Sequence, residues 1–168
     1  MSKMMHRVAT GVAIAAFGLS AGAAQAAPAT ASATAKARIL KQITVTNTAD
    51  LDFGTIVAGT TAASVAVSTA GARTCAAALT CTGTVTAANF NISGTNNAVV
   101  TVTGDNSVTL TNGTGGTMAA SLTRSATTLT LTNSAIGGTV QVGGSLALAA
   151  NQADGAYTGT FNVTVDYQ

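Results

Sequence analysis

Proton transfer and nucleophilic attack draw on a short list of side chains, and this 168-residue sequence holds few of them. It contains no Glu and no Trp, and its one His is His6. Ser and Thr hydroxyls are abundant, but a hydroxyl becomes a nucleophile only beside a base placed to take its proton. Beyond residue 26 no imidazole and no Glu is left for that task, which argues against an enzyme. Two cysteines, Cys75 and Cys81, stand in RTCAAALTCTG. Zinc would ask for two further ligands, and neither another Cys nor a downstream His supplies them. A catalytic thiol is no better served, because no imidazole is at hand to make the thiolate. Asp50 and Asp52 fall on one face of a strand and suggest Ca²⁺, yet that cation takes about six to eight oxygens. A solvated strand face is the plainer reading. The clusters Gly113-Thr114-Gly115-Gly116 and Gly137-Gly138 are followed by no helix or P-loop lysine and read as turns. Asn91, Asn112 and Asn162 each open an Asn-x-Ser/Thr triplet, a match that arises easily in a Thr-rich chain. No metal and no cofactor is expected.

The chemistry that remains depends on where the chain resides. Met1 to Arg7 carries Lys3, His6 and Arg7, an apolar run extends from Val8 to about Leu19, and Ala24-Gln25-Ala26 has the small-residue form of a cleavage site. That is the pattern of a secretory signal peptide. The run is interrupted by Gly11, Gly18 and Ser20 and falls short of the ~20 residues of a membrane span. The sequence therefore predicts a leader over 1–26 and a mature chain beginning at Ala27. Export makes a Cys75–Cys81 disulfide the default, closing a small surface loop. Without the leader, Lys36, Arg38, Lys41, Arg73 and Arg124 balance Asp50, Asp52, Asp105, Asp154 and Asp166. No basic footprint for nucleic acid survives. A sequence that is 47% hydrophobic and 7% charged is not a disordered charged tail either. Residues 27–168 make one ordinary domain with enough length for its own core.

The elements that would position any site are strands. Alternating or β-branched segments recur between Gly, Asn and Asp clusters, near 39–46, 51–57, 63–69, 83–92, 98–103, 107–111, 117–123, 127–132, 139–148 and 156–167. Thr and Val dominate them, and no helical period follows the leader. This is the pattern of an all-β sandwich. With few aromatic residues the core is lean, and its long contacts fall to Leu51, Phe53, Phe90, Leu146, Tyr157 and Phe161.

Two segments are odd for a closed sandwich. In APATASATAKARI, residues 27–39, Ala27, Ala29, Ala31, Ala33, Ala35, Ala37 and Ile39 alternate with polar residues or Pro, giving a strand with one apolar edge and one polar edge. No two-residue hairpin signal adjoins it, so it needs a partner from elsewhere in the chain or from another chain. At the other end, Tyr157, Phe161, Val163, Val165 and Tyr167 share one face of an amphipathic strand that no closing strand follows in the sequence given. Exposed apolar edges of this kind are normally covered.

LDFGTIVAGT (51–60), NFNISGTNNAVVTVT (89–103) and above all VGGSLALAANQADGAYTGTFNVTVDYQ (142–168) resemble a family of exported bacterial domains of unassigned function. More distantly, they are similar to the spore-coat-protein-U-like subunits of archaic chaperone-usher pili. The sharpest elements are Gly155-x-Tyr157-x-Gly159 with Val163-x-Val165-x-Tyr167, and Phe53-Gly54. The resemblance implies an immunoglobulin-like antiparallel sandwich lacking its final strand, filled first by a periplasmic chaperone and then by the N-terminal strand of the next subunit, with an outer-membrane usher. Residues 27–38 become the candidate donor extension, residues 39–168 the sandwich, Ala27 to Ile39 the donor face and Tyr157 to Tyr167 the acceptor edge. Two features depart from the pilus pattern: the close spacing of Cys75 and Cys81, and a donor made of alanine where larger side chains are common.

The expected function is a structural subunit of a cell-surface fibre or pilus, joined to copies of itself or related subunits and serving adhesion or biofilm. A self-complemented envelope protein that never polymerises is the alternative, with a glycan-binding module after it. Sugar-binding modules stack their ligands on exposed aromatic rings, and the absence of Trp weighs against that one.

Overall fold

The computed structural model describes residues 27–132 and 135–168. The expected leader, residues 1–26, lies outside the described residues. The chain divides into two compact units, Met1–Ala37 and Arg38–Gln168. In the first, residues 27–37 have no regular secondary structure, and each is exposed. Methyl groups alone offer too little burial to hold a lone strand.

Among its described residues the second unit is built only of strands: β1 (Thr44–Ala49), β2 (Thr55–Val57), β3 (Ala63–Val67), β4 (Arg73–Cys75), β5 (Thr80–Thr82), β6 (Ala88–Ser93), β7 (Val99–Gly104), β8 (Ser107–Thr111), β9 (Thr117–Arg124), β10 (Thr128–Thr130), β11 (Gly138–Leu148) and β12 (Val163–Tyr167). Every pairing is antiparallel. The fold is the all-β sandwich-like arrangement that the Thr/Val alternation predicts.

The large layer is organised on β11. Val142 pairs with both Ala88 and Arg124, and Gly144 to Leu146 pair with both β3 and β9. So β6 and β3 lie end to end along one edge of β11 and β9 lies along the other. β1 extends the layer beyond β6, β4 beyond β3 and β8 beyond β9. Strict period-two burial makes this work: Met118, Ala120 and Leu122 of β9 are buried while Thr117, Ala119, Ser121 and Thr123 are exposed. The same alternation sends Val140, Val142, Leu146 and Leu148 of β11 inward. In the middle of β11, a side chain on Gly143 would run into the backbone of Val67 to Thr69. Close passage of the β3 end over β11 requires glycine there.

The second layer comes in two pieces. The β10-β7-β12 sheet sets Val100, Val102 and Val165 against Ile92 and Val140. The β2-β5 ribbon, with the segment before it, sets Phe53, Ile56 and Leu79 near Val65, Val67, Met118, Leu146 and Leu148. Between these clusters, Ala88, Phe90, Leu122 and Val142 form a third, where Phe90 meets Phe161 edge to face at 6.2 Å. Tyr167 ties the end of β12 to the start of the sandwich, its hydroxyl donating to Lys41 O (2.6 Å) and accepting from Thr95 N (2.7 Å).

Two expectations are corrected. The strand anticipated over 39–46 begins at Thr44. The strand anticipated over 156–167 is confined to Val163–Tyr167, because Thr158 pairs instead with Thr111 at the end of β8, and Asn162 N donates to Asp105 Oδ2 (2.7 Å) before the chain joins β7. A change of neighbour breaks the ladder although the alternation in sequence continues. Cys75 and Cys81 close a short turn in which Ala77 and Ala78 are exposed. The two cysteines lie half-buried on β4 and β5, two strands too short to announce themselves.

Candidate functional site

A cleft of about 670 Å³ opens over the Leu146–Leu148 end of β11. Its floor is Leu110, Met118, Leu146 and Leu148, one wall is the segment from Leu51 to Ala58, and the opposite lip is Gln152 to Tyr157. Both rims carry a carboxylate, Asp52 and Asp154, and no basic side chain lines the cleft. The floor is already filled: Met118, Leu146 and Leu148 are 9%, 4% and 6% exposed, and Phe53 in the wall is 7% exposed.

The lip is held by amide and phenol groups. Tyr157 donates its hydroxyl proton to Ala153 O (2.9 Å) and accepts from Gln152 Nε2 (2.9 Å), which also donates to Thr117 O (3.2 Å). Asn112 Nδ2 donates to Asp154 O (3.3 Å), while Asn112 Oδ1 accepts from Thr114 N and Gly116 N. Asn112 thus links the β8–β9 turn to the lip. Asn151 N donates to Gly59 O (3.0 Å), joining the lip's base to the far end of the wall.

The wall is fastened three times over. Asp52 exchanges backbone hydrogen bonds with Thr86, and its Oδ1 accepts from Gly54 N (2.7 Å). Gly54 has φ +76 and lies against Arg73 and the carbonyl of Thr82, so only glycine fits. Behind it, the Arg73 guanidinium donates to three carbonyls of β5 and its turn: Thr82 O (2.7 Å), Cys81 O (3.2 Å) and Gly83 O (3.3 Å). The Cys75–Cys81 disulfide completes the fastening. Cys75 pairs with Val65 in the large layer and Cys81 with Ile56 in the ribbon, so this bond is the covalent tie between the wall and the main sheet.

Of the anticipated residues, the cysteines are brought together as a disulfide, and no cysteine is free among the described residues. The acceptor residues are divided. Val165 is buried in the core, Tyr167 is engaged by Lys41 and Thr95, Phe161 packs on Phe90, and Tyr157 alone lines the cleft. β12 has a neighbour on one edge only among the described residues. In the proposed donor, Ala27 to Ala37 are exposed and Ile39 is 92% exposed. Asp50 accepts from Asn47 Nδ2, and the described residues contain no cluster of three metal-ligating side chains. No described helix is long and apolar enough to cross a membrane.

Sequence reasoning missed the cleft itself. Leu110, Met118 and Leu148 fall within strands anticipated near 107–111, 117–123 and 139–148, and residues 149–155 fall between two anticipated strands. Nothing in the sequence signals that Asn112 and Gln152 would brace a lip there. Neither curated proteins nor solved structures give a significant match. Residues 43–167, which take in all of β1 to β12, match the family described as Domain of unknown function (DUF4402), and the chain belongs to that family.

Proposed function

We propose that this is a structural subunit of an exported fibre, joined to its neighbours by strand addition: the extension at 27–39 of one copy enters the second layer of the next. The observation that carries this reading is a second layer in two pieces, with a preformed apolar cleft beside the β2-β5 piece and an unpaired β12 edge on the other. A strand laid there would gain backbone hydrogen bonds for affinity, while alternate side chains facing the floor would set register. The filled floor also accounts for a donor made of alanine, since the large side chains are supplied by the acceptor. Self-complementation is disfavoured by Arg38 to Ile43, a stretch with no Gly, Asn or Pro for the reversal it would need.

Electron microscopy of four chains tests the proposal: the native chain, Ala31→Asp with Ala35→Asp, Thr30→Asp with Thr34→Asp, and a chain lacking 27–38. Fibres are expected from the native and Thr-substituted chains. They are expected to be absent from the other two, because an inward aspartate buries an unpaired charge. Fibres of normal length from the Ala-to-Asp chain would overturn the reading and leave 27–39 as a spacer.

A further inference from the structure

The cleft is shorter than the extension. Its wall, Leu51 to Ala58, is eight residues long and, with strand only at Thr55–Val57 and a bend at Gly54, spans less than about 26 Å, whereas the alternating segment runs from Ala27 to Ile39. Resting on the strand-addition reading, we infer that the cleft takes Ser32 to Ile39 of a second copy, held in register by Lys36 and Arg38 against Asp52 and Asp154.

Charge selects this part of the extension. The cleft carries two exposed carboxylates and no basic residue, and residues 27–41 carry Lys36, Arg38 and Lys41 and no acid. Parity then places the charges together. Asp52 points outward between the half-buried Leu51 and the buried Phe53. A strand that directs Ala33, Ala35, Ala37 and Ile39 to the floor turns Lys36 and Arg38 to that same outer side, where opposite charges on adjacent strands attract. Size agrees with both arguments. A floor in which Met118, Leu146 and Leu148 are already covered accepts methyl groups, and the one large inward residue, Ile39, is the one left at the end of the segment. Residues Ala27 to Ala31 are then in excess of what this cleft holds.

Binding of a fluorescent peptide of residues 30–40, present in excess while the full chain refolds from denaturant, tests the assignment without relying on a variant that must fold. Fluorescence anisotropy is expected to show binding that weakens as salt rises. Lys36→Asp with Arg38→Asp in the peptide is expected to weaken it about tenfold at low salt, from two attractive pairs made repulsive. A chain carrying Asp52→Asn, which keeps an acceptor for Gly54 N, and Asp154→Lys is expected to prefer the reversed peptide. A peptide with Ala33→Leu and Ala35→Leu is expected to bind more weakly than the native one. Equal binding of native and reversed peptides, tighter binding of the leucine peptide, or no binding of the native peptide would each overturn the assignment. Fibres formed by a chain whose cleft ignores peptide charge would leave the fibre reading standing and remove this one. A charge-selective cleft in a chain that forms no fibres would do the reverse.

Discussion

Removing the disulfide should loosen the cleft wall before it unfolds the protein. Cys75 and Cys81 are six residues apart, and closing so small a ring is worth about 2 kcal/mol in the chain-entropy treatment. Domains of this kind have a total stability of about 5–15 kcal/mol, so a Cys75→Ser/Cys81→Ser chain is expected to fold. Its melting temperature should fall by roughly 5–10 °C. The loss should not be evenly spread. The bond joins Ile56's partner strand to Val65's, and without it the β2-β5 ribbon, only three residue pairs long, keeps the Arg73 guanidinium and the Asp52–Thr86 bridge as its ties. Urea melts should show a lower midpoint with the slope m unchanged. Hydrogen exchange should accelerate at β2 and β5 by more than at β11, whose amides open with global unfolding. An unchanged midpoint would refute the tie. So would loss of cooperative folding, which would make the bond essential to the core.

Tyr167→Phe removes a donor to Lys41 O and an acceptor for Thr95 N, and should cost about 1–3 kcal/mol in denaturant melts; a cost below that range would mean water replaces both bonds. Arg73→Lys keeps the charge but not the fork that reaches three carbonyls, and is expected to cost about 1 kcal/mol, with faster exchange confined to the ribbon. Gly143→Ala forces β11 away from the backbone of Val67 to Thr69 and should lower stability by about 1–3 kcal/mol, whereas Gly113→Ala, with nothing nearby but a φ of +74, should cost about 1 kcal/mol. Gly143 has no positive φ, so a cost at Gly143 no larger than that at Gly113 would show that the close passage over β11 relaxes easily.

Alternation was enough to reveal most of the sandwich, because a strand with one buried face writes a period of two into its residues. β8 is found at the residues anticipated, 107–111, and β9 and β11 within one. Where local pattern and long-range pairing part company, alternation misleads. Tyr157 to Tyr167 alternates throughout, yet the ladder is interrupted where the chain passes from β8 to β7, a fact that depends on which strands lie beside it. β4 and β5 fail for the opposite reason: three residues hold too little pattern, and the alanines between the cysteines resemble a loop. The cleft was the least legible element. It lies between the Leu51–Ala58 wall and the Gln152–Tyr157 lip, segments far apart in sequence, and a gap between them leaves no residue type at any one position.

On the strand-addition reading, the geometry of the cleft has an energetic consequence for assembly. In a sandwich whose missing strand supplied large side chains, the unfilled core would be exposed, and folding would wait on the partner. Here Met118, Leu146 and Leu148 are 9%, 4% and 6% exposed, covered by the chain's own residues. An entering alanine strand then adds little apolar burial, about 0.8 kcal/mol for each methyl fully covered. The backbone ladder contributes about 0.5–1.5 kcal/mol per bond net of water. On the strand-addition reading, affinity therefore scales with the length of ladder formed more than with the size of the donor side chains. Each added or removed pair of residues along 32–39 should shift binding by a similar step, while a single alanine-to-glycine change at Ala33 or Ala37 should shift it less than deletion of that pair. A donor in which one alanine carried most of the affinity would contradict a floor in which Met118, Leu146 and Leu148 are already covered.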